Sequence, residues 1–307
     1  MNKKESSETR RKKMFQQKII KNEKKTPIFQ FEAYFKIKNQ TQTSTDFLEW
    51  FIGFFEAEGS FSRWFDGKKW CCQIEITQKD PKLMHKIKKK FGFGNTKFFR
   101  RNNTTYWRYQ VEKENHLKAL IFLFNGNLVT DHKYKMFELF VNQFYKSQKE
   151  KPIQILEKNQ KGVSLHTYWL SGFLEGNGGF SATQKQNPKQ TKLSAGLLIK
   201  FYVTQKNELF LLNRIRNVFN ILTTVDQLND ESNTVMYNKL ETTNPKSLNI
   251  IRAYLEIHPF LGQKNILVKR WIRLLDYQEK NYPLTKKSSQ KLRRLVVSTK
   301  SVEIIKI

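Results

Sequence analysis

Two positions carry chemistry at matching places: Glu58 in "FIGFFEAEG" (51–59) and Asn177 in "LSGFLEGNG" (170–178). Each stands just before the glycine that closes an apolar run, where a helix would end. A helix C-terminus presents free carbonyls and partial negative charge. Two carboxylates delivered there side by side make an oxygen-rich cage that suits a hard divalent cation such as Mg²⁺. The first copy offers a carboxylate, the second only an amide. On position alone, Glu58 is equally well a solvated terminal residue. Spacing suggests how the two could meet. Gly53 and Ala57 are four apart, as are Gly172 and Gly176. Small residues at that interval share a helix face and let two backbones approach closely, so each helix is expected to pack against the other.

The elements that must position these residues also come twice. "IEITQKDPKLMHKIKKKFG" (74–92) aligns with "FYVTQKNELFLLNRIRNVF" (201–219), and more weakly "DHKYKMFELF" (131–140) with "GQKNILVKRW" (262–271). Three matches in one order indicate a duplicated unit. In the first unit, Phe47, Trp50, Phe51, Phe54 and Phe55 recur at helical spacing over 46–57, with Thr45 or Asp46 as cap. Strands are expected at 60–65 and 70–77 around the turn signal "DGKK", and a helix over 80–91 with Pro81 near its start. A second hairpin turns at Asn102–Asn103, and helices follow over 113–125 and 131–148. Each unit therefore reads α-β-β-α-β-β-α. The second begins with a helix over 166–176, has a first hairpin longer by eight residues and turns its second at "NDESN" (229–233). The expected organisation is a basic extension (1–44), a first repeat (45–150), a linker (151–164), a second repeat (165–280) and a basic tail (281–307) that is unstructured until bound.

Lys and Arg number 56 against 27 acids, a net charge of +29. The ends do not hold it all: residues 1–25 carry +7 and 281–307 carry +6, leaving +16 in the body. So basic a body calls for a polyanion, nucleic acid first. A membrane surface is the rival, but no apolar run nears the roughly 18 residues a span requires. Cys71 and Cys72 are adjacent and close no useful loop, so a disulfide-stapled secreted fold is not expected. "MNKKESSETRRKKMF" lacks the apolar core of a secretory signal. Richness in Lys, Asn, Ile and Phe fits AT-rich codons and an organellar genome, the mitochondrion before the chloroplast. The five histidines show no zinc spacing, and no Ser-His-Asp set, P-loop or dinucleotide-binding turn is present. "KIKKKFGFG" (86–94) reads as the exposed face of a helix, and Phe98, Phe99, Tyr106 and Trp107 as core rather than base-stacking surfaces.

The paired motifs resemble the signature of the LAGLIDADG homing endonucleases in their single-chain, two-repeat form. The resemblance covers about 45–280 and rests on three separated motifs per copy. It implies an α+β fold of two pseudo-symmetric αββαββα units joined through the motif helices, a protein monomer whose sheets form a saddle on double-stranded DNA. It implies Mg²⁺ or another divalent cation as cofactor and hydrolysis of phosphodiester bonds. Matched by position, the metal-binding acid falls at Glu58 and Asn177, the polar residue that orders water at Gln78 and Gln205, and the active-site lysine at Lys133 (with His132 as rival) and Lys264. Counting alternate strand positions puts Ser62, Trp64, Asp66, Gln73 and Glu75 on the family's DNA face, with Lys97 from the second hairpin. In the other copy the count gives Ser181, Thr183, Lys185, Lys200 and Tyr202.

Asn177 departs from the family's pattern, where both positions are acidic. Losing one anion beside a divalent ion removes several kcal/mol of gross attraction at an effective dielectric near ~20. Glu175 cannot substitute: two residues earlier, it points roughly 200° round the helix. Its counterpart Glu56 suggests a shared packing or capping role. The readings are a weakened double-strand cutter, a nickase working through Glu58, a deliberately disabled variant, or a non-catalytic RNA-binding descendant such as an intron maturase or ribonucleoprotein subunit, with structured RNA as its partner.

Overall fold

The computed structural model describes residues 27–38, 43–184, 196–229, 236–280 and 285–299. A short helix α1 (Glu32–Lys38) precedes the first repeat. That repeat consists of α2 (Thr45–Glu58), β1 (Gly59–Phe65), β2 (Trp70–Gln78), α3 (Pro81–Phe91), β3 (Asn95–Arg101), β4 (Thr104–Val111), α4 (Glu114–Phe124) and α5 (Asp131–Gln148). The second consists of α6 (Trp169–Asn177), β5 (Gly178–Gln184), β6 (Leu197–Lys206), α7 (Leu209–Val218), β7 (Asp226–Asn229), β8 (Met236–Thr242), α8 (Pro245–Ile257) and α9 (Lys264–Glu279), and α10 (Lys286–Thr299) follows. Each repeat folds its strands into one antiparallel sheet, in the orders β1-β2-β4-β3 and β5-β6-β8-β7. The expected α+β class, with two copies of one unit, is what the chain forms.

Local chemistry explains the boundaries. Asp80 caps α3 by accepting from the N–H groups of Lys82 and Leu83, and Gly92 ends it in the left-handed conformation at φ 71°. Asn102 and Asn103 both take positive φ, the geometry of a two-residue hairpin turn. One face of each sheet is apolar: Ile74, Ile76, Tyr109 and Val111 in the first, Phe180, Phe201, Val203 and Leu240 in the second, all buried. Helices cover those faces and leave the opposite ones to solvent.

Four expectations need correction. The cap of α2 is Ser44, one residue before Thr45; its hydroxyl accepts from Phe47 N–H. The second motif helix starts at Trp169, not 166, and has no side-chain cap of its own. Tertiary partners take its first amides instead: Glu49 accepts from Tyr168 N–H at 2.9 Å and the Tyr254 hydroxyl from Ser171 N–H at 2.7 Å. Residues 27–38 do not belong to a loose extension. Phe29, Phe31 and Tyr34 are buried, and Asn127 exchanges hydrogen bonds with the backbone of Gln30. Nor is the tail wholly unstructured, since α10 buries Leu292 and Val296. Three aromatics expected in the core are smaller misses: Phe98 is 62% exposed on edge strand β3, and Phe99 and Tyr106 stack on the face that carries Lys97 and Arg108, where Arg108 lies over the Phe99 ring.

Candidate functional site

Helices α2 and α6 cross at a contact that only glycine permits. A Cβ on Gly53 would lie 1.9 Å from the Trp169 carbonyl oxygen, and one on Gly172 would lie 1.9 Å from that of Trp50. One turn on, a Cβ on Gly176 would meet Ala57 Cβ at 2.4 Å and Glu58 Oε1 at 3.3 Å. The last turns of the two helices therefore lie side by side, and positions 58 and 177 share one junction, as their sequence spacing predicted. Neither helix stops with a left-handed turn. Gly59 and Gly178 are extended, so each helix runs directly into the first strand of its sheet.

Two buried carboxylates fix what surrounds this junction. Glu56 accepts through Oε1 from Val129 N–H, Thr130 N–H and Thr130 hydroxyl at 2.7–2.9 Å, and through Oε2 from Trp169 Nε1 at 2.6 Å. Glu175 repeats the pattern with Leu261 N–H, Gly262 N–H and Trp50 Nε1. Each acid thus ties the head of its own repeat's last long helix to a tryptophan of the other repeat. Burial pushes Glu56 up to about 7, against the pull of its four donors; burial also raises Glu175. The shared packing role expected of these two acids is what the structure shows.

Through these clamps α5 and α9 bring their lysines to the motif helices. Lys133 Nζ donates to Gly59 O at 2.5 Å, while Lys264 Nζ donates to Leu174 O and Glu175 O at 3.1 and 2.9 Å. A cation at a helix C-terminus answers its partial negative charge. Between Lys133 and His132, the lysine holds this place; the His132 backbone N–H instead donates to Glu208. Gln78 ends β2 and Gln205 lies in β6. Asn177 Nδ2 donates to Gln205 Oε1 at 2.8 Å.

On the solvent face of the first sheet, Ser62 pairs with Gln73 and Trp64 with Cys71, and Lys97 stands opposite Arg108. Glu75 lies on the same face, but its carboxylate is engaged by Arg108 at 3.1 Å, by Ser60 and by Gln73. Gln73 is itself buried, 7% exposed, under that cluster. Asp66 lies beyond the end of β1, where strand counting no longer applies. Its carboxylate closes the turn by accepting from Lys68 and Lys69 N–H, which holds its pKa below the usual range. In the second sheet Ser181 pairs with Lys200, Tyr202 with Gly179 and Thr183 with Leu198, on the face away from the core. Lys200 and Lys239 both bind Glu241. Lys185 lies outside the described residues. Arg108, Lys239 and Glu241 went unnoticed in the sequence, although the same two-residue count along the fourth strand of each sheet finds them.

Among the described residues no helix is long and apolar enough to cross a membrane. The chain spans 39% of the length of one curated relative and 65% of another. These are a probable intron-encoded endonuclease 4 of Neurospora crassa, 28% identical over 74% of this chain, and a probable intron-encoded endonuclease Cox1-I1b of Schizosaccharomyces pombe, 27% identical over 77%. Among solved structures, the LAGLIDADG meganuclease I-CpaMI bound to uncleaved DNA superposes with a TM-score of 0.62 at 17% identity, over 83% of this chain and 99% of that one. The LAGLIDADG endonuclease profile matches twice, at residues 51–144 and 170–275, which include positions 58 and 177 and both Lys133 and Lys264. With two copies of that profile in one polypeptide and the glycine-crossed junction between them, the chain belongs to the LAGLIDADG endonuclease family.

Proposed function

We propose that the protein binds double-stranded DNA in the saddle of its two sheets and hydrolyses one strand at the centre built around Glu58, as a site-specific nickase. Endonucleases of this family depend on a divalent metal. The donors at the first centre suit Mg²⁺, which is held by one or two carboxylates together with substrate phosphate oxygens. Glu58 is the carboxylate. A divalent cation held there would supply positive charge and a more acidic bound water. The remaining work falls to the chain. Gln78 orders the attacking water, Lys133 adds positive charge beside the scissile phosphate, and the rows led by Ser62, Trp64, Lys97, Ser181 and Lys200 set the register of the duplex.

The second centre carries the observation on which the strand preference rests. Asn177 brings no charge, and its amide is engaged with Gln205. Gln205 is thereby turned to accept, and its freedom to orient a water is reduced. Lys264 answers helix carbonyls as Lys133 answers Gly59 O, so the lysines do not set the two centres apart. An intron-borne origin in an organelle, the mitochondrion first, accords with the intron-encoded relatives.

The test is a supercoiled plasmid carrying the host locus, incubated with Mg²⁺ and resolved by gel. Nicked circle is the expected product. Linear product would mean that the second centre cuts despite Asn177, and intact plasmid would overturn the endonuclease reading.

A further inference from the structure

The head of α5 is held from both repeats. Within its own repeat, Glu56 accepts from the N–H groups of Val129 and Thr130, and the Thr130 hydroxyl accepts from Lys133 N–H at 3.4 Å. The N–H of His132 goes elsewhere, to Glu208 Oε1 at 2.9 Å. First-turn amides have no partner inside a helix, so their acceptors decide where it starts and how it lies. The local acceptors are already engaged: the Thr130 hydroxyl serves Glu56 and Lys133, and Asp131 pairs with Lys158.

Glu208 belongs to the second repeat. It stands two residues past the end of β6 and immediately before α7, and is only 2% exposed. A side chain at that position ordinarily caps its own helix. The Glu208 carboxylate makes no such bond and reaches across to α5 instead. Its backbone is fixed by Asn238 of β8, whose Oδ1 accepts from Glu208 N–H at 2.9 Å and which stands opposite Gln205 in the sheet. The reciprocal contact differs in kind. Asp80, half-buried before α3, gives Oδ1 to the N–H groups of its own helix. Only its Oδ2 accepts from Gln263 N–H, one residue before Lys264, at 2.8 Å. The dedicated, buried tie therefore falls on the helix whose lysine reaches Gly59, beside Glu58.

We propose that Glu208 is a positioning residue acting in trans: it anchors the head of α5 so that Lys133 stays at Gly59, and the first centre is complete only with the second repeat in place. A carboxylate suits the task, because a helix N-terminus carries partial positive charge. Lys133 follows His132 directly, so a displaced head carries the lysine with it. A misplacement of about 1 Å is enough to cost about a hundredfold in rate. The bearing on cleavage rests on the endonuclease reading; the placement of Lys133 does not.

The test compares full-length wild type, Glu208→Ala and Glu208→Gln, each shown to be folded by circular dichroism. Reductive methylation of lysines, read by peptide mass spectrometry, reports position without activity. Glu208→Ala should raise labelling of Lys133 severalfold and leave Lys264 as in wild type. Single-turnover nicking of the plasmid with Mg²⁺ should fall about a hundredfold, with duplex Kd unchanged. Glu208→Gln keeps an oxygen that accepts from His132 N–H and should recover most of both. Should the alanine variant not fold, Glu208→Asp, whose carboxylate is one methylene short, should show the same changes at smaller size. A contact that only stabilised the fold would lower the thermal midpoint and leave Lys133 labelling and the nicking rate of the folded chain untouched; that result would overturn the proposal. Equal gains in labelling at Lys133 and Lys264, or duplex affinity lost in step with rate, would overturn it too. Intact plasmid with the wild type would sink the endonuclease reading alone, and the labelling would still decide the placement.

Discussion

At the end of α2, Glu58 carries a carboxylate and Lys133 reaches past it to Gly59 O; at the end of α6, Asn177 is tied to Gln205 and Lys264 stays on the carbonyls of Leu174 and Glu175. One turn back, the two helices match closely: a Cβ on Gly53 or on Gly172 would lie the same 1.9 Å from the opposing tryptophan's carbonyl oxygen. The packing is reciprocal: each glycine admits the other repeat's tryptophan carbonyl, so a change in either copy disrupts both. The polar termini are not bound in this way. A carboxylate-to-amide difference there alters charge without moving a backbone, so one repeat can carry Glu58 and the other Asn177 on the same frame.

The sharpest way to break this comparison is to make the termini alike. On the proposed reading, Asn177→Asp should convert nicked product to linear plasmid, while Glu58→Gln should slow first-strand cleavage on the order of a thousandfold. Product ratios against time check both. Next in size is the frame. Gly53→Ala and Gly172→Ala should each cost about 3 kcal/mol, because the added methyl meets backbone rather than a flexible side chain. Urea unfolding would show it, and a difference between the two above about 1 kcal/mol would mean that the helices are not equivalent partners.

A pH series sharpens the comparison from the first helix, which carries both Glu49 and Glu56. Burial pushes each up to about 7, from 4.5. In both, the folded state holds a proton that the unfolded chain releases, so their contribution is fully present below 4.5 and is lost as pH rises towards and through 7. The loss should be at most about 3 kcal/mol per group, read from urea midpoints at pH 5 and 8. Glu56→Gln should flatten that curve. The smallest expected effect separates the two clamps. Glu56→Gln leaves four donors facing an amide and Glu175→Gln leaves three, so each should cost about 2 kcal/mol, the first somewhat more.

Much of this was legible in the sequence because the unit is written twice. Periodicity placed most helices and strands within a residue or two, and the four-residue spacing of small side chains foretold the helix crossing. What escaped depends on contacts distant in the chain. The start of α6 is set by Glu49 and Tyr254, not by a local cap. Residues 27–38 are ordered by Asn127, almost a hundred positions away. Strand counting put Asp66 on the outer face, but the strand had already ended and the carboxylate serves the turn. Gln73 has the right parity yet lies under the Glu75–Arg108 cluster, because alternation gives a side, not an exposure.

The direct passage from α2 into β1 has a consequence for where such a protein would cut. Gly59 is extended at φ −82° and ψ 165°, and a Cβ there would strike the Phe55 ring, so no hinge intervenes between Glu58 and the strand that starts beside it. On the proposed reading, the reactive group and the reading surface are one covalent ruler. The offset between a recognised base step and the broken bond is then fixed by peptide geometry, and evolution can rewrite the letters being read without resetting the scale.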